Sequence, residues 1–161
     1  MPELPIEALT PEAFADFGVV ISADAAREAY AINQGTTQRF HALATVDLEG
    51  GQAAISLGRA QPVRLPLQIS LLERHPLGSQ AFIPLAGTRF LIVVAASPEQ
   101  RPRAFLADRG QGIQYHRGCW HHPLLALDQG GDFLIVDRIG PGHNCEEVPL
   151  TQPWQISALP Q

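Results

Sequence analysis

From residue 39 onward the chain is cut into short β-like runs by turn residues, and this rhythm limits the fold more than any other property of the sequence. "QAAISLGRA", "LQISLLERH", "QAFIPLA", "TRFLIVVAA", "RAFLA", "GIQYHRG", "HHPLLAL", "DFLIVDRIG" and "WQISAL" follow one another at short intervals. The breaks draw on 14 glycines and 14 prolines, a density that favours many short strands over long helices. About ten strands in one domain imply a sandwich or a barrel. "RFHALATVDL" and "QAAISLGRA" flank Glu49-Gly50-Gly51, which reads as a hairpin loop. One short helix is expected in "LTPEAFADFG", with Thr10 as N-cap, Pro11 at the first helical position and Gly18 beyond the last turn. "ADAAREAYAIN" adds at most a further turn.

The 161 residues suit a single domain spanning 1–161, long enough to bury about two-thirds of its unfolded surface without a disulfide. The formal charge is −5 and the eleven basic side chains are scattered arginines, so no basic patch is present for nucleic acid. No apolar stretch approaches the roughly 18 residues that cross a bilayer, and "MPELPIEALTPEAF" lacks a signal-peptide core; a cytoplasmic protein is expected. Cys119 and Cys145 are too few for a disulfide framework, and each is either a buried thiol or a site residue.

Chemistry concentrates in a few stretches. In "LQISLLERH", alternation places Ile69, Leu71, Glu73 and His75 on one face, with Arg74 on the other. A Glu on an interior face needs pairing, hydrogen bonds or a metal; alternatively the strand leaves the core near residue 72 and both groups are solvated at a barrel mouth. "GQGIQYHRGCWHHP" gathers Tyr115, His116, Trp120, His121 and His122, and adjacent His121 and His122 cannot both point inward from one regular strand. "DFLIVDRIGPGHNCEE" puts Phe133, Ile135 and Asp137 on one face, ending in either a rim site or a rim salt bridge. "NQGTTQRFHAL" and "AISLGRAQP" supply Arg39, Ser56 and Arg59, the arginines being natural clamps for a small carboxylate. No Walker loop, CxxC pair or G-x-S-x-G elbow occurs.

The spacing of these groups resembles the two cupin motifs, H-x-H-x(3,4)-E with P-x-G, then G-x(5)-P-x-G-x(2)-H. Glu73, His75 and Gln80 take the first ligand spacing with Pro84 and Gly87 beyond; Gly110, His116, Gly118 and His121 take the second. Over nearly its whole length the chain resembles the ureidoglycolate lyase family, in "INQGTTQRFH", "ISLGRAQP", "LERHPLGSQAFIPLAG", "QGIQYHRGCWHHPL", "DFLIVDR" and "NCEE". The resemblance implies a mainly β fold, a cupin-like double-stranded β-helix (jelly-roll type) barrel with a short N-terminal helix. It further implies a cytoplasmic homodimer that splits (S)-ureidoglycolate into glyoxylate and urea in allantoin breakdown, with a divalent metal, nickel being named. By motif the ligands are Glu73, His75, Gln80 and His121, although neutral Gln80 replaces an acid and removes charge from the site. His75 and His121 then also take part in catalysis, with Tyr115 or His116 placed for proton transfer. Arg39 or Arg59 is the carboxylate clamp, and Ser56 and Asp137 are further substrate contacts. Hydrolysis of the same substrate with release of ammonia, or a cupin-like protein that only binds a small carboxylate, are the competing readings.

Overall fold

Strand β8 (Phe90–Ala95) is buried on both faces along its whole length, and the molecule is arranged around it. Phe90, Ile92 and Val94 belong to one apolar cluster with Phe14, Phe82, Phe105, Ile113 and Phe133. Leu91, Val93 and Ala95, on the alternate face, belong to a second with Leu4, Ile69, Leu72, Leu125 and Ile156. A run as apolar as "FLIVVA" is what a strand with a core on either side requires.

The computed structural model describes residues 1–161. In chain order its elements are β1 (Ile6–Ala8), α1 (Pro11–Phe14), β2 (Gly18–Ile21), β3 (Ala29–Ile32), β4 (Thr37–Phe40), β5 (Gln52–Ala60), β6 (Leu67–Arg74) and β7 (Gln80–Pro84), followed by β8. Then come β9 (Arg103–Ala107), β10 (Gly112–Tyr115), β11 (Trp120–His121), β12 (Leu125–Ala126), β13 (Gly131–Ile139) and β14 (Glu146–Ile156). A seven-stranded sheet runs β1-β9-β8-β11-β6-β14 with β12 beside β8, and a five-stranded sheet runs β2-β10-β7-β13-β5. The first cluster draws on both sheets and fills the space between them: β8 and β9 contribute from one side, β2, β7, β10 and β13 from the other. The fold is therefore mainly β, as the turn rhythm requires.

Helix α1 is a single turn, shorter than "LTPEAFADFG" suggests. Thr10 caps it, its Oγ1 accepting from the Ala13 N–H at 3.1 Å, and Phe14 anchors it in the first cluster edge-to-face against Phe105. "ADAAREAYAIN" yields one 3₁₀ turn at Ala23–Ala25 and then β3.

The hairpin expected across Glu49-Gly50-Gly51 does not form. Gly50 and Gly51 do turn the chain with positive φ, but β5 pairs with β13 over nine residues, placing Ile55 opposite Val136 and Leu57 opposite Leu134. Residues 41–47 carry no strand. They cross the outer face of the five-stranded sheet, where the Thr45 carbonyl accepts from Gln114 Nε2 at 2.8 Å and the Asp47 carbonyl from the Ser79 N–H at 2.9 Å. The hairpin that does form is β3–β4, which pairs with no other strand and is exposed nearly throughout.

Phe133 is fully buried between the sheets, its ring 5.3 Å from that of Phe90. Phe133→Ala should cost about 3–5 kcal/mol, read as a lowered urea midpoint; a loss under about 1 kcal/mol would mean that the intersheet space is not the closed core described.

Candidate active site

Glu73 near the end of β6 stands directly opposite His121 of β11 in the antiparallel pairing, and His121 in turn opposes Val94 of β8. Val94 points into the intersheet core, so Glu73 and His121 share that face. Leu72 and Arg74 take the other side, where Arg74 binds Glu146 at 2.8 Å and lies 4.7 Å over the Trp120 ring. The face shared by Glu73 does not extend back to Ile69. Ile69 belongs to the outer cluster with Leu72, and the pairing with β14 slips between the partners of Leu71 and Ile69, an irregularity of the kind that re-aims side chains.

Glu73, His75 and His121 each offer a ligand atom, and these atoms lie within 4.8 Å of one another. His121 Nε2 is 3.4 Å and His75 Nε2 3.8 Å from Glu73 Oε1. What orients the imidazoles is their other nitrogen: His121 Nδ1–H donates to the Cys119 carbonyl at 2.9 Å, and His75 Nδ1–H to the Asn144 carbonyl at 2.8 Å. Each ring therefore turns Nε2 toward the carboxylate, and both Nε2 atoms are buried without a hydrogen-bond partner. Two unpartnered imidazole nitrogens facing one carboxylate form a group that could hold a cation. The donor set, two imidazoles and a carboxylate with their tautomers fixed from behind, fits a divalent transition metal. The Glu73 carboxyl is held below the usual carboxylate range, chiefly by the His121 imidazole; burial opposes this, and the charges of His121, His75 and His122 add to it.

Tyr115 at the end of β10 stacks flat on His121, ring centroids 4.0 Å apart. Burial first, then the charges of Cys119 and Glu73, raise its phenol well above the ordinary value, so it stays protonated. Gln80 on β7 is opposite Tyr115, and its Nε2 donates to Asp137 Oδ2 of β13 at 3.0 Å, leaving Gln80 Oε1 buried and unpartnered. The inner faces of both sheets thus carry one polar chain from Glu73 through His121 and Tyr115 to Gln80 and Asp137.

Other candidates stand elsewhere. His116 is exposed, its Nε2 donating to the Ala15 carbonyl at 3.1 Å, because it follows inward-facing Tyr115 and so turns outward toward α1. Arg59 is on the outer face of β5, paired to Asp132 at 2.8 Å and with 81% of its side chain exposed. Arg39 lies on the free hairpin with its Nε against His41 Nδ1 at 3.0 Å. Ser56 shares the face of Ile135 but is exposed on the edge strand. Of the two adjacent histidines only His121 joins the cluster; His122 Nδ1 donates to the Pro123 carbonyl, and burial lowers its pKa.

Two residues that the motif spacing does not mark lie against the cluster. Asn144 holds His75 by its carbonyl and the Leu77 N–H by its Oδ1, at 2.7 Å. Cys145 brings its Sγ to 3.9 Å from Glu73 Oε2. Cys119, by contrast, is inert: burial pushes its thiol up to about 12.

A family model described as Ureidoglycolate lyase matches residues 1–157. A ureidoglycolate lyase of Burkholderia cepacia is 55% identical, covering 99% of this chain and 93% of that protein. One of Pseudomonas putida (strain W619) is 51% identical over 99% of both chains, and one of Pseudomonas aeruginosa (strain LESB58) 49% identical over 100% of this chain and 98% of that one.

A divalent ion such as Ni²⁺ or Zn²⁺, added to chelator-stripped protein at a hundredfold excess over its Kd, should stabilise the fold by about 2.7 kcal/mol. The readout is a rise in Tm that chelator reverses and that His121→Ala abolishes at the same ion concentration; an equal rise in that variant would place the ion elsewhere.

Proposed function

The chain belongs to the ureidoglycolate lyase family, and we propose that it cleaves (S)-ureidoglycolate to glyoxylate and urea between its two sheets. The observation that carries the site assignment is the pair of imidazoles, each fixed from behind by a backbone carbonyl and each turning a bare Nε2 toward Glu73. Glu73, His75 and His121 would hold a divalent ion, and nickel suits such donors. The ion, when bound, supplies fixed positive charge for the hydroxyl and carboxylate oxygens of the substrate and acidifies the hydroxyl. That charge takes the role expected of Arg39 or Arg59, neither of which belongs to the polar chain described above.

The substrate carbon carries a hydroxyl, a carboxylate and the ureido nitrogen. Cleavage moves the hydroxyl proton to a base, the oxygen electrons form the aldehyde of glyoxylate, and the C–N pair leaves with the nitrogen, which takes a proton to become urea. Oxygen and nitrogen sit on the same carbon, so one carboxylate can accept the first proton and return it to the nitrogen. We assign this to Asp137, which already receives a hydrogen bond from Gln80. The free Gln80 Oε1 accepts from the ureido N–H groups. Tyr115, stacked on His121 and protonated, is a donor and not a base. Gln80 thereby passes from the ligand set to substrate recognition, and His116 leaves the catalytic set.

Two sheets facing across one core, with the donors gathered on their inner faces, support a single cupin-like jelly roll over 1–161. No helix is long and apolar enough to cross a membrane. Both cysteines are free, in keeping with the reducing cytoplasm in which we place the enzyme. A second copy is the partner we infer for the outer face of β5 and β13, where Ile55 and Leu57 stand 75% and 63% exposed beside Leu134 and Val136.

Urea release should fall by at least about 10²-fold in His121→Ala and in Asp137→Asn, while His116→Ala and Arg59→Ala stay within about twofold of the parent. Ammonia in place of urea, with urease excluded, would turn the reading to hydrolysis. Light scattering should give twice the chain mass for the parent and the single-chain mass for the double variant Ile55→Glu, Leu57→Glu; a monomeric parent would refute the paired state.

A further inference from the structure

The two imidazoles of the site are held in different ways. His121 stands in a strand that is paired on both sides, with Glu73 of β6 and with Val94 of β8. His75 is one residue beyond the end of β6 and belongs to no strand, so no ladder sets its direction. Its main chain is tied at one point, where its carbonyl accepts from the Gly118 N–H at 2.9 Å. What fixes the ring is the hydrogen bond from Nδ1–H to the Asn144 carbonyl at 2.8 Å. An imidazole can carry its proton on either nitrogen, and Nε2 is free to face Glu73 only while the proton stays on Nδ1.

Any residue could offer that carbonyl, but this one stands on the loop before β14, and its place has to be set by something else. The Asn144 side chain sets it, Oδ1 accepting from the Leu77 N–H at 2.7 Å. One residue thus takes the ring proton on its carbonyl and the N–H two positions further along on its amide oxygen, which closes a ring of bonds around Pro76. Leu77 is braced from the other side as well, its carbonyl accepting from the Glu49 N–H at 2.9 Å. Arg138 joins the two supports, donating to the Glu49 carbonyl at 3.0 Å and to the Pro141 carbonyl at 2.7 Å. The circuit from Leu77 through Glu49, Arg138, Pro141 and Asn144 returns to Leu77, and the Asn144 amide is the link that connects it to His75.

We propose that Asn144 is a positioning residue for the reaction: by anchoring Leu77, its side chain sets the carbonyl that keeps His75 in the Nδ1–H tautomer with Nε2 turned to Glu73. The proposal rests on the place given to His75 in the site above. Asn144 itself touches neither Glu73 nor the substrate in this scheme and acts through His75 alone. His121 needs no such residue, because the β6 and β8 ladders already set the strand from which it donates to the Cys119 carbonyl.

The test is the long-range proton–nitrogen NMR spectrum of the imidazoles in the metal-free full chain, at a pH where they are neutral, read beside urea release with Ni²⁺ added. The parent should show His75 and His121 each as a single Nδ1–H tautomer. Asn144→Ala should turn His75 into a mixture of tautomers, leave His121 as it was, and lower urea release at least about tenfold. Asn144→Asp, which keeps an oxygen to accept from Leu77, should restore both the single tautomer and the rate. The unchanged His121 signal reports an intact fold; if Asn144→Ala does not fold, Asn144→Ser, with a hydroxyl one atom too short to reach Leu77, carries the same comparison. A single Nδ1–H tautomer at His75 in Asn144→Ala, with urea release within about twofold of an active parent, would overturn the proposal and leave the function standing. A tautomer lost at His75 with the rate unchanged would overturn the place of His75 in the site, and this role of Asn144 with it. A parent that releases no urea would overturn the proposed function itself.

Discussion

The register that sets Glu73 opposite His121 is the constraint on which the site depends. β11 is only two residues long, and it bridges β6 and β8 inside the seven-stranded sheet. A slip of one residue would turn His121 to the outer cluster and bring Trp120 or His122 inward. The buried faces of β8 prevent that slip, because Val94 must stay inside and the Trp120 position must stay over Arg74. The packing of an apolar strand thus decides where an imidazole points, and the backbone carbonyl of Cys119 then decides which nitrogen it presents.

A carboxylate, two imidazoles, a phenol and an amide–carboxylate pair follow one another across the gap between the sheets. They divide the labour by position. Glu73 and His121 lie on the seven-stranded sheet with His75 just past the end of β6, whereas Gln80 and Asp137 lie on the five-stranded sheet, hydrogen-bonded to each other and leaving Gln80 Oε1 without a partner. Six of the eleven arginines are engaged elsewhere: Arg59, Arg74, Arg89, Arg103 and Arg117 are each paired with a carboxylate, and Arg138 is turned to the carbonyls of Glu49, Gly50 and Pro141.

The legible part of this arrangement was local. Two-residue alternation separates Glu73 from Arg74, and adjacency in one strand forbids His121 and His122 a common direction; both rules hold. Cupin-like spacing picks out Glu73, His75, Gln80 and His121, of which the structure brings Glu73, His75 and His121 together while Gln80 bonds to Asp137, and the family resemblance names the reaction. What local pattern could not show was anything that depends on pairing between distant strands. Arg59 reads as a free clamp until Asp132 is found across the β5–β13 ladder. His116 reads as a site residue until Tyr115 claims the inner face. "RFHALATVDL" reads as a strand, but β5 finds a nine-residue partner in β13 and the segment is left to bond with Gln114 and Ser79 instead. Asn144 leaves no mark at all, because it acts on His75 through a main-chain carbonyl that every residue possesses.

The double burial of β8 reaches beyond geometry. A strand that belongs to two apolar clusters ties them into one cooperative unit, since neither can open without exposing the face on which the other rests. Amide protons of Phe90–Ala95 are therefore released to solvent only when the whole molecule opens, and β6 and β11, which reach β8 through the Glu73–His121 pair, share that protection. The hairpin β3–β4 pairs with neither sheet, so as a separate two-stranded unit it draws no support from this cooperativity. Stability is thus concentrated in the strand behind the imidazoles, and the hairpin that carries Arg39 stands outside it.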